Sequence, residues 1–206
     1  MYRKFFKRFL DIVISLIALP FVGLVILIFA PIIWLTDKGP VFYNATRRGM
    51  NGKNFKMFKL RSMKVNSPVL KNADGSTYSG DDDPRVTKIG RIMRKLSIDE
   101  LPQILNVLIG DMSFVGPRPT LANTPYEQLD ENRRKRLTVR PGITGYSQAY
   151  FRNSITQEEK IVNDCHYVDH VSFLFDVKIL IQTVLSVLGS KNINYQESTQ
   201  KKDVAQ

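Results

Sequence analysis

Apolar residues are gathered along this chain rather than spread. No charged residue occurs between positions 12 and 36, and about twenty helical residues suffice to cross the hydrocarbon core of a bilayer. The apolar run, residues 9–35, is too long for a signal peptide and lacks its small-residue cleavage pattern. It predicts a membrane helix with Pro20 and Pro31 inside. Each proline deletes a backbone hydrogen bond and bends the axis.

Beyond that run the pattern shortens. Residues 38–40 read as a turn and 41–43 as a short strand. Residues 46–53 form a basic, glycine-bearing turn. In 54–63, Phe55, Met57, Phe58 and Leu60 mix with Lys56, Lys59 and Arg61, which predicts an extended segment. Residues 65–84 are polar and turn-rich and end in Asp81-Asp82-Asp83-Pro84. These carboxylates suit a solvated loop, since sequence neighbours rarely converge on one ion.

From 85 to 96 a helical stripe of Ile89, Ile92, Met93 and Leu96 opposes Lys88, Arg91, Arg94 and Lys95. Such a helix packs on a core or lies at the headgroup boundary; the pattern fits both. Residues 101–109 predict a short helix stopped by Gly110, 124–139 a charged helical stretch, and 171–188 an apolar core or interfacial helix. The tail from 190 is polar.

Charge sharpens the picture. Thirty Lys and Arg against nineteen Asp and Glu give a net +11, which points to a polyanionic partner. Arg3, Lys4, Lys7 and Arg8 precede the apolar run; Lys38, Arg47, Arg48, Lys53, Lys56, Lys59 and Arg61 follow it. Positive flanks stay cytoplasmic, and only a helix bent at Pro20, entering and leaving by one face, satisfies both. Charge alone also admits a plain transmembrane anchor. Asp11 is spaced to pair with Lys7 or Arg8. The single Cys165 excludes an internal disulfide framework.

The densest candidate chemistry is Ser97-Ile98-Asp99-Glu100-Leu101-Pro102. Ser97 and Glu100 match a capping box, which needs no chemistry. Pro102, however, prefers the first turn of a helix and moves its start toward Leu101. Asp99 and Glu100 then flank a helix start, one able to attack phosphorus and the other to hold Mg²⁺ against a diphosphate. Arg118 sits between Pro117 and Pro119, which stiffen it for anion binding or for a structural carboxylate. In Arg140-Pro141-Gly142-Ile143-Thr144-Gly145 the glycines permit backbone close to a ligand. His166 and His170, without a third ligand in view, read as surface histidines.

Together these segments resemble the bacterial sugar transferases, monotopic phosphoglycosyl transferases that begin surface glycan assembly. The motifs are Gly39-Pro40-Val41-Phe42, Phe58-Lys59-Leu60-Arg61-Ser62-Met63, Asp83-Pro84-Arg85, Leu96-Ser97-Ile98-Asp99-Glu100-Leu101-Pro102-Gln103, Gly110-Asp111-Met112-Ser113, Gly116-Pro117-Arg118-Pro119 and the Arg140–Gly145 segment, residues 140–145. The resemblance implies a helix-rich α/β fold: a re-entrant helix (1–36), a cytosol-facing catalytic domain with interfacial amphipathic helices (37–189), and a tail (190–206). It implies a ping-pong reaction in which Asp99 attacks the β-phosphate of a UDP-sugar, UMP leaves, and undecaprenyl phosphate takes the phosphosugar. Glu100 would hold Mg²⁺. Substrate contacts are expected among Lys59, Arg61, Arg85, Arg94, Pro117, Arg118, Pro119, Arg140 and Thr144. The setting is the bacterial inner membrane, with membrane lipid as partner, no nucleic acid, and a homo-oligomer compatible with it.

Two departures stand out. The family breaks its membrane helix at a Ser-Pro pair, which by spacing falls at Gly23-Leu24, whereas the prolines here are Pro20 and Pro31. A glycine-bearing segment is replaced by Gln148-Ala149-Tyr150-Phe151-Arg152-Asn153, so the sugar is not carried over. The rival class is a non-enzymatic anchored scaffold whose basic surface binds anionic lipid or nucleic acid.

Overall fold

The computed structural model describes residues 1–70, 78, 83–152 and 154–188. Asp81, Asp82, Asn153 and the tail lie outside the described residues. After a π-helical turn, Tyr2–Phe6, helix α1 runs through Lys7–Asp37. At 1.5 Å per residue it is roughly 46 Å long, with Pro20 and Pro31 inside.

Both ends of α1 are fastened to one domain. Near its start Lys7 pairs with Asp176 at 2.5 Å, and Arg8 donates to the carbonyls of Val107 (2.5 Å) and Leu108 (2.8 Å). Asp11 accepts from Ser113 Oγ and the Phe114 N–H, both at 3.1 Å. The expected pairing of Asp11 with Lys7 or Arg8 is therefore corrected: those cations reach across to other elements, where carbonyls and a carboxylate need them. At the other end Arg61 pairs with Asp37 at 2.6 Å and donates to the Ile33 carbonyl. Between the ends Leu16, Ile17, Phe21, Leu24 and Leu27 are exposed. A membrane can cover this apolar helix, and its length and composition suffice to cross one.

The strands are short. β1 (Ala45–Arg48) and β2 (Asn54–Met57) form an antiparallel hairpin, pairing Arg47 with Phe55. β3 (Ser113–Val115) and β4 (Gly142–Thr144) pair in parallel. The 41–43 segment makes only a single bridge, Phe42 to Leu60, so the hairpin begins later than the sequence pattern suggests.

Helices do most of the packing: α2 (Lys88–Lys95), α3 (Gln103–Ile109), α4 (Glu131–Lys135), α5 (Tyr146–Tyr150), α6 (Gln157–Asp169) and α7 (Phe173–Leu188). α2 starts at Lys88 because the Thr87 hydroxyl accepts from the Gly90 N–H. Of its stripe, Met93 is buried but Ile92 and Leu96 are exposed, leaving apolar groups on the surface beside its cations. The charged stretch 124–139 is not one helix: Asp130 caps a five-residue α4, flanked by 3₁₀ turns.

Three apolar clusters hold these elements. Val115, Val139, Ala149, Tyr167, Val168 and Ile179 join β3 to α5, α6 and α7. Ile33, Leu60 and Met93 tie the end of α1 to α2. Met57, Val107 and Met112 pack the hairpin on α3.

Candidate active site

The carboxylates Asp99 and Glu100 stand on a 3₁₀ turn, Ile98–Glu100, two residues ahead of α3. Ser97 enters this turn at φ 56°, left-handed backbone that costs a non-glycine residue about 1–2 kcal/mol. It makes no side-chain cap, so the capping-box explanation fails. Backbone strain beside a carboxylate pair is common at functional sites.

Asn106, fully buried on α3, aligns the facing segment. It accepts from the Phe58 N–H (2.8 Å) and donates to the Lys56 carbonyl (2.8 Å), while the Leu60 N–H donates to the Asp99 carbonyl at 2.9 Å. Lys59 is thereby aimed at both acids: its Nζ lies 2.8 Å from Asp99 Oδ2 and 3.2 Å from Glu100 Oε1. Two adjacent carboxylates repel unless a cation separates them, and Lys59 is such a cation. The contact to Asp99 is an ion pair outside hydrogen-bond angles, so the enclosed Oδ2 has no hydrogen-bond donor among the described residues.

Arg118 donates to Glu100 Oε1 at 3.1 Å. Burial disfavours the Glu100 anion, yet Arg118 and then Lys59 outweigh it and hold its pKa at about 2. Glu100 in turn pushes Arg118 up, although the arginine side chain is half exposed. Both cation contacts use Oε1, leaving Oε2 without a protein partner among the described residues. That fits Mg²⁺, which commonly takes one or two carboxylates and fills its shell with water and phosphate oxygens. No protein-only cage of three or more His, Cys, Asp or Glu side chains is gathered among the described residues.

A cavity adjoins this group, lined by Arg47, Met57, Gln103, Arg118, Pro119 and Gly142. Lys59, Asp99, Glu100, Arg118 and Pro119 are thus brought together, joined by Arg47 and Gln103, which sequence reasoning left out. Pro117 lies behind, its carbonyl accepting from the Gly142 N–H. Arg94 is held by Ser62 Oγ at 2.9 Å.

Other expected contacts go elsewhere. Arg61 serves the end of α1. Arg85 forks onto buried Asp83 (2.9 and 2.6 Å) and donates to the Pro68 and Tyr78 carbonyls, clamping a loop. Arg140 donates to the Gly110 carbonyl and, with Arg8, serves the unpaired C-terminal carbonyls of α3. Thr144 meets Thr183 at 2.7 Å. The glycines of the 140–145 segment approach protein: a Cβ on Gly142 would lie 2.1 Å from Gly116 N, and one on Gly145 2.2 Å from Gly116 O. Tyr150 and Phe151 pack on Tyr146, which also meets His166.

The domain fastened to the long apolar helix thus carries a lysine-bridged carboxylate pair beside a basic cavity. The sequence profile of the bacterial sugar transferases matches residues 2–190, and the chain belongs to that family. It is 42% identical over 190 residues to the galactosyl transferase CpsE of Streptococcus agalactiae serotype III (strain NEM316), covering 88% of this chain and 42% of that one. It is 43% identical over 188 residues to the uncharacterized sugar transferase EpsL of Bacillus subtilis (strain 168), covering 91% and 89%. It is 40% identical over 196 residues to the UDP-glucose:undecaprenyl-phosphate glucose-1-phosphate transferase of Escherichia coli (strain K12), covering 92% and 41%. The chain therefore spans about two fifths of the streptococcal and E. coli relatives and most of the Bacillus one.

Proposed function

We propose that this chain transfers a phosphosugar from a UDP-sugar to undecaprenyl phosphate through a covalent intermediate on Asp99. The observation that carries this reading is the Lys59-bridged pair of Asp99 and Glu100 beside a cationic cavity. The Asp99 carboxylate attacks the β-phosphorus, the bond from that phosphorus to the α,β-bridging oxygen breaks, and UMP leaves with the electron pair. An oxygen of undecaprenyl phosphate then attacks the same phosphorus, and the bond to Asp99 breaks to restore the carboxylate. Lys59 screens the pair at rest, and Arg118 binds phosphate charge. Held by Glu100, Mg²⁺ would neutralise diphosphate charge. The relatives are named for galactosyl and glucose transfer, so no sugar is assigned.

The chemistry belongs at the inner face of the cytoplasmic membrane, with α1 re-entrant and bent at Pro20. Support comes from the anchoring of both α1 ends on one domain while most of the middle, Ser15 and Val22 apart, stays exposed. A helix that crossed the bilayer without turning back would carry one end away from the domain.

The test is the intact mass of enzyme mixed with UDP-sugar and no lipid acceptor. A phosphosugar adduct, absent from Asp99→Asn, is expected. Undiminished UMP release by a folded Asp99→Asn would defeat the assignment.

A further inference from the structure

Around the carboxylate pair the charges do not balance. Lys59 and Arg118 are engaged by Asp99 and Glu100. Arg47, on β1, forms no ion pair among the described residues, yet it is only partly exposed and lines the cavity with Arg118. Burial and then the neighbouring Arg118 push the Arg47 guanidinium below its usual range, against the weaker pull of Tyr43 and Glu100.

A second group points into the same space. Gln103 is 3% exposed and lines the cavity, and its amide has no hydrogen-bond partner among the described residues. That amide is not sealed from solvent, so a ligand in the cavity can reach it. Met57 and Pro119 supply apolar walls. Two guanidiniums and an amide donor lining one cavity match the oxygens of a phosphate ester.

We infer that Arg47, Arg118 and Gln103 form a phosphate-ester pocket beside the Asp99–Glu100 pair, in which Arg47 and Gln103 are binding residues. Naming that phosphate rests on the proposed reaction: it is either the phosphate that departs with UMP or the phosphate of the polyprenyl acceptor. Arg118 leans on Glu100, whereas Arg47 has no protein anion to leave, so it meets the ligand without breaking a pair.

Equilibrium titration of the full chain in lipid nanodiscs separates the cases, with UMP, uridine and inorganic phosphate as probes and undecaprenyl phosphate KM measured alongside. Arg47→Gln is expected to weaken UMP about tenfold or more, the loss of one charge-assisted contact. Uridine affinity should not change, Arg47→Lys should recover part of the loss, and Gln103→Leu should act in the same direction. Lys56→Gln, on the exposed neighbouring strand, controls for net charge and should leave UMP binding alone. A raised KM for undecaprenyl phosphate with unchanged UMP affinity would support the pocket and identify the lipid as its source. Unchanged UMP, phosphate and lipid parameters in Arg47→Gln melting at the wild-type temperature would overturn the inference. UMP binding does not require turnover, so the titration remains decisive even if Asp99→Asn proved active.

Discussion

Arg136 lies 2.5 Å from Asp164 and, through the same Nη2, donates to the carbonyl of Arg118 at 3.0 Å. A buried ion pair between the 3₁₀ turn after α4 and α6 thus supports the backbone of the arginine that faces Glu100. Burial pushes Asp164 up to about 6, against the pull of Arg136.

Arg136→Met strands a buried carboxylate, so unfolding free energy should fall by about 3–5 kcal/mol in urea titrations. The double variant with Asp164→Asn should recover a good part of that loss. A loss in Arg136→Met below 0.5 kcal/mol would mean that the pair carries no structural weight.

Lys59→Met removes the cation between Asp99 and Glu100. Adduct formation should drop about a hundredfold or more, since a preorganised charge at the reacting centre is lost. Removing that positive charge also raises the Glu100 pKa, so the acid limb of the pH–rate profile should move upward. Stopped-flow UMP release across pH reads both, and an unmoved profile would place Lys59 outside the site.

Acid should weaken the protein through Glu100. Its folded pKa of about 2 lies below the ordinary 4.5, so its contribution is complete above about 4.5 and is lost as pH falls toward 2. The whole effect is at most about 3 kcal/mol. Glu100→Gln should flatten this part of the stability curve. Melting temperatures between pH 5 and 2 check it, and equal slopes for the two proteins would contradict the charge assignment.

Topology has its own test. A cysteine placed at Tyr2 should resist an impermeant thiol reagent applied to intact cells and react once they are opened. Pro20→Ala restores the missing N–H and removes the ring clash, so it should shift the labelling toward the outside. Labelling of the parent chain from outside would show a simple span.

The acids and Arg118 were legible because they lie in short motifs with local chemical meaning. Arg47 read as one more flanking charge, because only the hairpin turns it toward Arg118. Asn106 left one signal, a weak helix former inside the apolar run of α3, but its clamp on residues 56–58 depends on tertiary packing. Arg85, Arg140 and Thr144 share motifs with the site, yet they hold loops and helix ends. The long helical pattern at 124–139 failed where Pro125 and the Asp130 cap divide it.

Asp99 is only 1% exposed. If it carries a phosphosugar, the mixed anhydride is formed where bulk water scarcely reaches, and hydrolysis is starved of its nucleophile. The enzyme can then wait in a loaded state, its energy conserved, until a scarce lipid acceptor arrives laterally through the bilayer. Lipid supply, and not wasteful decay, would set the pace of glycan initiation.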